Sequence, residues 1–168
     1  PVTLCTRMMD SMAIISINPL PPVYTVSGGG TFCAGAPGDT IFLSGSTSGI
    51  RYYLFDGSSL VDSLVGTGSA MNFGPRTVAG TYTVVSRNLF TTCASSMTGS
   101  AAIIVNPLPN VFTLTGGGNY CFGGAGVHVG LSGSDTAGIQ YQLYLGGVPI
   151  GGPQVGISGP LDFGLISP

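Results

Sequence analysis

The sequence contains no lysine, no glutamate and no tryptophan, and only one histidine, His128. Charged residues make up 6% of the chain, against about a quarter in ordinary globular domains. The cations are Arg7, Arg51, Arg76 and Arg87. They form no basic cluster, which argues against nucleic acid as a partner. A net charge of −2 gives no field to steer a charged ligand from a distance. One histidine without any glutamate is a poor basis for a catalytic triad or a metal site. Catalysis, a cofactor and a metal are therefore not expected. Long apolar runs are also missing. Mean hydropathy is +0.49, yet stretches such as Ala101 to Val105 fall far short of the ~20 residues a membrane span needs, so membrane insertion is not expected either.

What the chain does have is self-similarity. Asn18-Pro19-Leu20-Pro21 returns as Asn106-Pro107-Leu108-Pro109, an offset of 106 − 18 = 88 residues. The following Val23-Tyr24-Thr25-Val26-Ser27-Gly28-Gly29-Gly30-Thr31-Phe32-Cys33 is answered by Val111-Phe112-Thr113-Leu114-Thr115-Gly116-Gly117-Gly118-Asn119-Tyr120-Cys121. Leu43-Ser44-Gly45-Ser46 recurs in the same register as Leu131-Ser132-Gly133-Ser134. A fixed period of this length marks a tandem array. Residues 1–17 align with the end of a repeat, 18–108 make one complete repeat, and 109–168 are the first part of the next. No signal peptide is visible, but the chain opens in mid-repeat, so that absence carries no information. Proline removes a backbone donor and restricts the residue before it, so Asn-Pro-Leu-Pro reads as a short, stiff linker.

Within the complete repeat, seven runs rich in β-branched and aromatic residues predict strands. They lie near 23–27, 40–44, 50–55, 60–64, 70–73, 80–87 and 100–105. Glycine, proline and Asp-Gly clusters separate them, and the triple glycine reads as a turn. Seven short strands in under ~90 residues predict an immunoglobulin-like β-sandwich, and no stretch carries sustained helical periodicity. The expected fold is all-β: tandem sandwich repeats joined by proline-rich linkers. Met12 to Ile17 aligns with Ser100 to Val105 and is expected to be the last strand of a preceding repeat. The segment from 109 stops short of two strands, which either a longer parent chain or a neighbouring chain would supply by β-augmentation.

Several short motifs have plain structural readings. Asp162-Phe163-Gly164 spells a kinase signature, but its counterpart is Asn72-Phe73-Gly74 and no companion motif is present. The glycine clusters lack the helix N-terminus that a phosphate loop needs. Tyr52, Tyr53 and Phe55 could offer an exposed aromatic cluster, though alternation sends part of that set into the core. Cys5 matches Cys93 and Cys33 matches Cys121, so each repeat carries two cysteines. Regular pairs of this kind, without a CxxC or His-Cys cluster, favour disulfides and an oxidising, extracellular setting. An in-repeat Cys33–Cys93 bridge is the expectation, leaving Cys5 and Cys121 to partners beyond the sequence. It would close a loop of 93 − 33 = 60 residues, worth about 4 kcal/mol on the chain-entropy argument. The rival is a bridge between consecutive repeats, and a free reactive thiol is the third reading.

Four of the six acidic residues sit in one tripeptide pattern: Asp10-Ser11-Met12, Asp39-Thr40-Ile41, Asp62-Ser63-Leu64 and Asp135-Thr136-Ala137. The plain reading is that Asp-Ser and Asp-Thr are turn residues ahead of apolar strands. The pattern also resembles the Asp-Ser/Thr-aliphatic sequon at which exported proteins of Bacteroidota are O-glycosylated. On that reading Ser11, Thr40, Ser63 and Thr136 carry O-linked glycans, which would hydrate a surface poor in charge. The wider combination includes Asn-Pro-Leu-Pro, Gly-Gly-Gly-x-Tyr/Phe-Cys, Leu-Ser-Gly-Ser, Tyr-x-Leu-Tyr/Phe, Ala-Gly-Thr-Tyr-Thr-Val-Val and Met-Thr-Gly-Ser. It resembles the tandem repeats of giant Bacteroidota surface proteins, such as gliding-motility adhesins and other cargo of the type IX secretion system. The resemblance implies secretion, a cell-surface location and immunoglobulin-like modules strung along a stalk or filament. Partners would be neighbouring repeats or identical chains. The alternative is a module whose loops bind glycans or other cells.

Overall fold

The structure, a computed structural model, describes Arg7, residues 13–136 and residues 138–167. It divides into two compact units, Pro1–Asn106 and Pro107–Pro168. Among the described residues there is no helix long and apolar enough to cross a membrane.

The first unit is a two-sheet sandwich. One sheet orders β1 (Val26–Gly28), β3 (Asp39–Leu43) and β6 (Met71–Arg76). The other orders β2 (Gly30–Cys33), β9 (Ala101–Asn106), β7 (Gly80–Asn88), β4 (Ile50–Asp56) and β5 (Ser59–Val65), with β8 (Ala94–Ser96) paired to β7. Every pairing of named strands is antiparallel except that of β2 with β9. This is an immunoglobulin-like arrangement, in which the chain's first edge splits between the two sheets. All seven expected strands are present, with ends shifted by up to three residues; β2 and β8 are additions.

Period-two alternation builds the core. Ile41 and Leu43 on β3, Tyr52 and Leu54 on β4, Tyr82 and Val84 on β7, and Ala101 and Ile103 on β9 all point inward and are buried. Each fully buried aliphatic side chain contributes about 1.5–3 kcal/mol. Tyr52 stands where a sandwich of this kind often has tryptophan. Its ring packs 6.3 Å from that of Tyr24, and its hydroxyl accepts a hydrogen bond from the Thr47 amide at 2.9 Å. Tyr82 donates to the Val78 carbonyl at 3.0 Å, a tyrosine corner that fixes the approach to β7. Burial raises its pKa, and the Asp56 carboxylate adds to the effect.

The triple glycine is not a simple turn; it is where the chain crosses from one sheet to the other. Gly28 ends β1 with φ 98° and Gly29 follows with φ 75°. A Cβ on Gly28 would strike the Thr40 carbonyl, and one on Gly29 the Ala102 carbonyl of β9. Both the positive φ and the close backbone approach require glycine. Sequence reading registers only the turn signal, because the two carbonyls lie far off in the chain.

The second unit contains β10 (Leu114–Gly116), β11 (Val127–Leu131) and β14 (Leu161–Ile166) in one sheet. β12 (Gln140–Leu145) and β13 (Val148–Val155) form a separate hairpin. These answer β1, β3, β6, β4 and β5. No counterpart of β7 or β9 occurs among the described residues.

One strand expectation fails. Ala13 to Ile17 forms no strand, and Ile14, Ile15 and Ile17 are each more than 80% exposed. The aligned segment β9 is held between β2 and β7, whereas no sheet neighbour pairs with residues 13–17. An apolar run acquires strand structure from a ladder, not from its composition alone.

Candidate functional site

The two described cysteines of the first unit, Cys33 and Cys93, lie at opposite ends of one sheet. Cys33 closes β2 opposite Asn106, while Gly30 of the same strand sits opposite Ile103, which pairs with Gly80. Cys93 follows β7, its carbonyl accepting from the Asn88 amide at 2.9 Å. From Gly80 to Asn88 is eight steps along β7, about 26 Å at strand rise, and Cys33 lies beyond Gly80 on the far side. A disulfide needs Cα atoms within about 7 Å. The expected Cys33–Cys93 bridge is therefore corrected: both are free thiols, as is Cys121, with Cys33 exposed and Cys93 half-buried. A spacing of 60 residues could not reveal this, because β7 carries the chain across the whole unit between the two cysteines. Cys5 lies outside the described residues.

Each free thiol in this unit has a linker residue beside it. The Ala34 amide, next to Cys33, donates to the Asn106 carbonyl at 2.8 Å. The Cys93 Sγ lies 4.0 Å from the Asn18 carbonyl. Asn18 and Asn106 hold the same place in the Asn-Pro-Leu-Pro motif.

The sequon residues fall in three different environments. Thr136 is exposed in the loop before β12, next to Asp135. The Asp135 carboxylate accepts from the backbone and side-chain amides of Asn110 and from the Tyr141 hydroxyl. The Asn110 side-chain bond leads in holding its pKa below the ordinary value. Ser63 is half-buried on β5, and its Oγ accepts from Arg51 Nη1 at 3.2 Å. Asp62 before it forms an ion pair with Arg76 of the facing sheet, tying the open side of the sandwich together. Thr40 is half-buried on β3, next to the fully buried Ile41, and its carbonyl accepts from the Gly29 amide. Asp62 and Asp135 thus have structural tasks of their own, which the tripeptide pattern does not disclose. Ser11 lies outside the described residues.

Of the three candidate aromatics, Tyr52 is a core residue, while Tyr53 and Phe55 are half-buried on the alternate positions of β4. Sequence reasoning missed Phe90. It is 89% exposed in the β7–β8 turn, where Asn88 Oδ1 accepts from the Phe90 and Thr91 amides at 2.9 and 3.1 Å. Thr92 completes the turn at φ 60°. His128, an exposed residue of β11, has its Nδ1 2.8 Å from Asp162 Oδ2. The Gly164 amide bond is the leading cause holding the Asp162 pKa down, and His128 adds to it. Among the described residues, no three His, Cys, Asp or Glu side chains gather as metal ligands do.

By its strand order the first unit is an immunoglobulin-like β-sandwich. No protein-family model and no curated protein matches the chain. Among solved structures it is similar to the ligand-binding domain of human OSCAR, with 13% identity over 86% of this chain and 82% of that one, at a TM-score of 0.42. So distant a likeness supports no argument about ligand or activity.

Proposed function

We propose that this chain is a non-catalytic structural repeat of a long extracellular adhesin stalk or cell-surface filament, built from an 88-residue immunoglobulin-like module. The observation that carries this reading is which contacts recur between the two units. The Thr25 amide donates to Ser44 Oγ, and the Thr113 amide to Ser132 Oγ. Ser46 Oγ donates to the Ser69 carbonyl and accepts from the Thr67 amide; Ser134 Oγ does the same with Gly159 and Ile157. The Tyr52 hydroxyl accepts from the Thr47 amide, and the Tyr141 hydroxyl from Asp135. The paired rings Tyr24–Tyr52 and Phe112–Tyr141 share a 6.3 Å separation. What the copies keep is framework; exposed groups such as the His128–Asp162 pair have no twin. Modules retained for mechanical shape would diverge in this way.

In this reading the thiols form links along the array, since a repeat with one thiol beside each linker asparagine suits a bridge between consecutive modules. O-linked glycans at Ser11, Thr40, Ser63 and Thr136 would hydrate its surface, and type IX secretion would deliver it. The test is immunogold labelling of intact cells of the source organism with antibodies against this chain. Regularly spaced label along surface filaments is the expected result; label that appears only after lysis overturns the proposal. A second reading, loop-mediated binding of glycans or cells, is favoured by Phe90, an exposed aromatic on an ordered turn. A glycan-array signal that Phe90→Ser abolishes would favour it.

A further inference from the structure

We infer that Cys33 and Cys93 are the two kinds of end of a staple across each Asn-Pro-Leu-Pro linker, in which the Cys93-type thiol of a module bridges to the Cys33-type thiol of the module before it. The inference rests on the tandem-array reading above and adds to it which thiols meet. In the first unit the chain enters and leaves at opposite ends. Asn18 lies at the entry end, where the Cys93 Sγ is 4.0 Å from its carbonyl oxygen. Asn106 ends β9 at the exit end. Cys33 stands directly opposite it in the parallel β2–β9 ladder, about 4.8 Å away at ladder spacing. Asn18 is to the preceding module what Asn106 is to this one. The Cys33-type residue of that preceding module therefore belongs beside Asn18, the residue that Cys93 already faces.

The same geometry excludes pairs of one type. Each type of thiol keeps to its own end of a module, so two of the same type in consecutive modules have a module's length between them. β7 alone spans about 26 Å of that length, against the ~7 Å that a bridge tolerates between Cα atoms. Both thiols are presented for reaction. Cys33 is exposed, and the half-buried Cys93 sits in a turn fixed by two bonds. There the Asn88 amide donates to the Cys93 carbonyl at 2.9 Å and the Thr92 amide to the Asn88 carbonyl at 3.0 Å. The oxidant is a small-molecule disulfide. One cysteine thiolate attacks it and leaves a mixed disulfide, and the second displaces the remaining half. Each bridge consumes one small disulfide and yields two small thiols, which take up the two protons.

The first measurement is a peptide map of the native protein, released from cells and not reduced. Cys93 is expected to be joined to a Gly-Gly-Gly-x-Tyr/Phe-Cys peptide other than its own. The second uses the full chain lengthened by one internal copy of its complete repeat, residues 1–105 followed by residues 18–168, oxidised with glutathione disulfide. Cys33 of the first copy should crosslink to Cys93 of the second. Cys33→Ser in the first copy should leave that Cys93 free to label with maleimide. A Cys33–Cys33, Cys93–Cys93 or same-copy Cys33–Cys93 crosslink in place of the expected one overturns the inference, as do thiols that stay free in the oxidised, lengthened chain. That chain is oxidised in vitro, so its outcome does not depend on where the native protein resides. Label confined to lysed cells would overturn the stalk and leave the pairing standing, whereas a wrong crosslink would overturn the pairing alone.

Discussion

Gly29→Ala probes the point on which the first sandwich turns. At φ 75° a Cβ costs roughly 1–2 kcal/mol from left-handed strain alone. That Cβ would also meet the Ala102 carbonyl and amide of β9, and forcing a backbone apart in a packed sheet adds about 1–3 kcal/mol. Reduced freedom of the unfolded chain returns about 0.4–1 kcal/mol. The expected net loss is about 2–4 kcal/mol, a large share of the stability of a small domain. Gly117→Ala has the same backbone conformation, φ 80°, but no atom within 4 Å, so it should cost only about 1 kcal/mol. Urea denaturation followed by near-UV circular dichroism of the tyrosines measures both. A slope near 2 kcal/mol per molar puts the Gly29→Ala midpoint about 1–2 M lower. A Gly29→Ala protein within about 0.5 kcal/mol of the parent, or a Gly117→Ala cost equal to it, would refute the sheet-crossing argument.

Three further outcomes are expected. Tyr82→Phe removes the bond to the Val78 carbonyl while keeping the ring, and should cost about 0.5–1.5 kcal/mol in the same melt. The peptide map of native, non-reduced protein should contain no Cys33–Cys93 crosslink within one repeat, and once links between modules are reduced Cys33, which is exposed, should label with maleimide. Asp135 has a folded pKa held below its unfolded value, chiefly by the Asn110 side chain. Its contribution is therefore present above the unfolded value of about 3.9 and is lost as pH falls through the lower folded one. NMR should show the Asn110 amides exchanging faster only below about pH 4, and Asp135→Asn should abolish that transition.

Strands were legible because their signal is local. Ile41 and Leu43, Tyr52 and Leu54, and Tyr82 and Val84 each stand two residues apart and share a face by the geometry of an extended chain. β2 and β8 were not legible, for two reasons. Gly30–Cys33 begins inside a glycine run, and its parallel partner β9 lies about seventy residues on. Ala94–Ser96 is three small residues long, held to β7 by pairing and by the Ser86 hydroxyl donating to the Ser95 carbonyl at 3.1 Å. Pairing across the chain decides both. The same holds for the candidate sites: the sequence shows cysteines at the repeat interval and one recurring tripeptide, but only the register shows which end of a sheet a residue occupies.

Without an in-unit bridge, the first unit needs other constraints in place of the roughly 4 kcal/mol a closed loop would supply. The structure provides them as buried, satisfied polar contacts. Ser86 is fully buried and bonded to β8, Ser46 bridges Thr67 and Ser69, and the Tyr52 hydroxyl holds the Thr47 amide. Each is worth about 0.5–1.5 kcal/mol net, and each becomes costly if one partner is removed. Hydroxyl pins of this kind do not depend on redox state and need no charge, in keeping with a chain whose charged fraction is 6%. They also free the thiols from holding the unit together. A fold secured by serine and tyrosine can lose or gain a disulfide at either end without unfolding, which is the property that links between modules of an extended array would require.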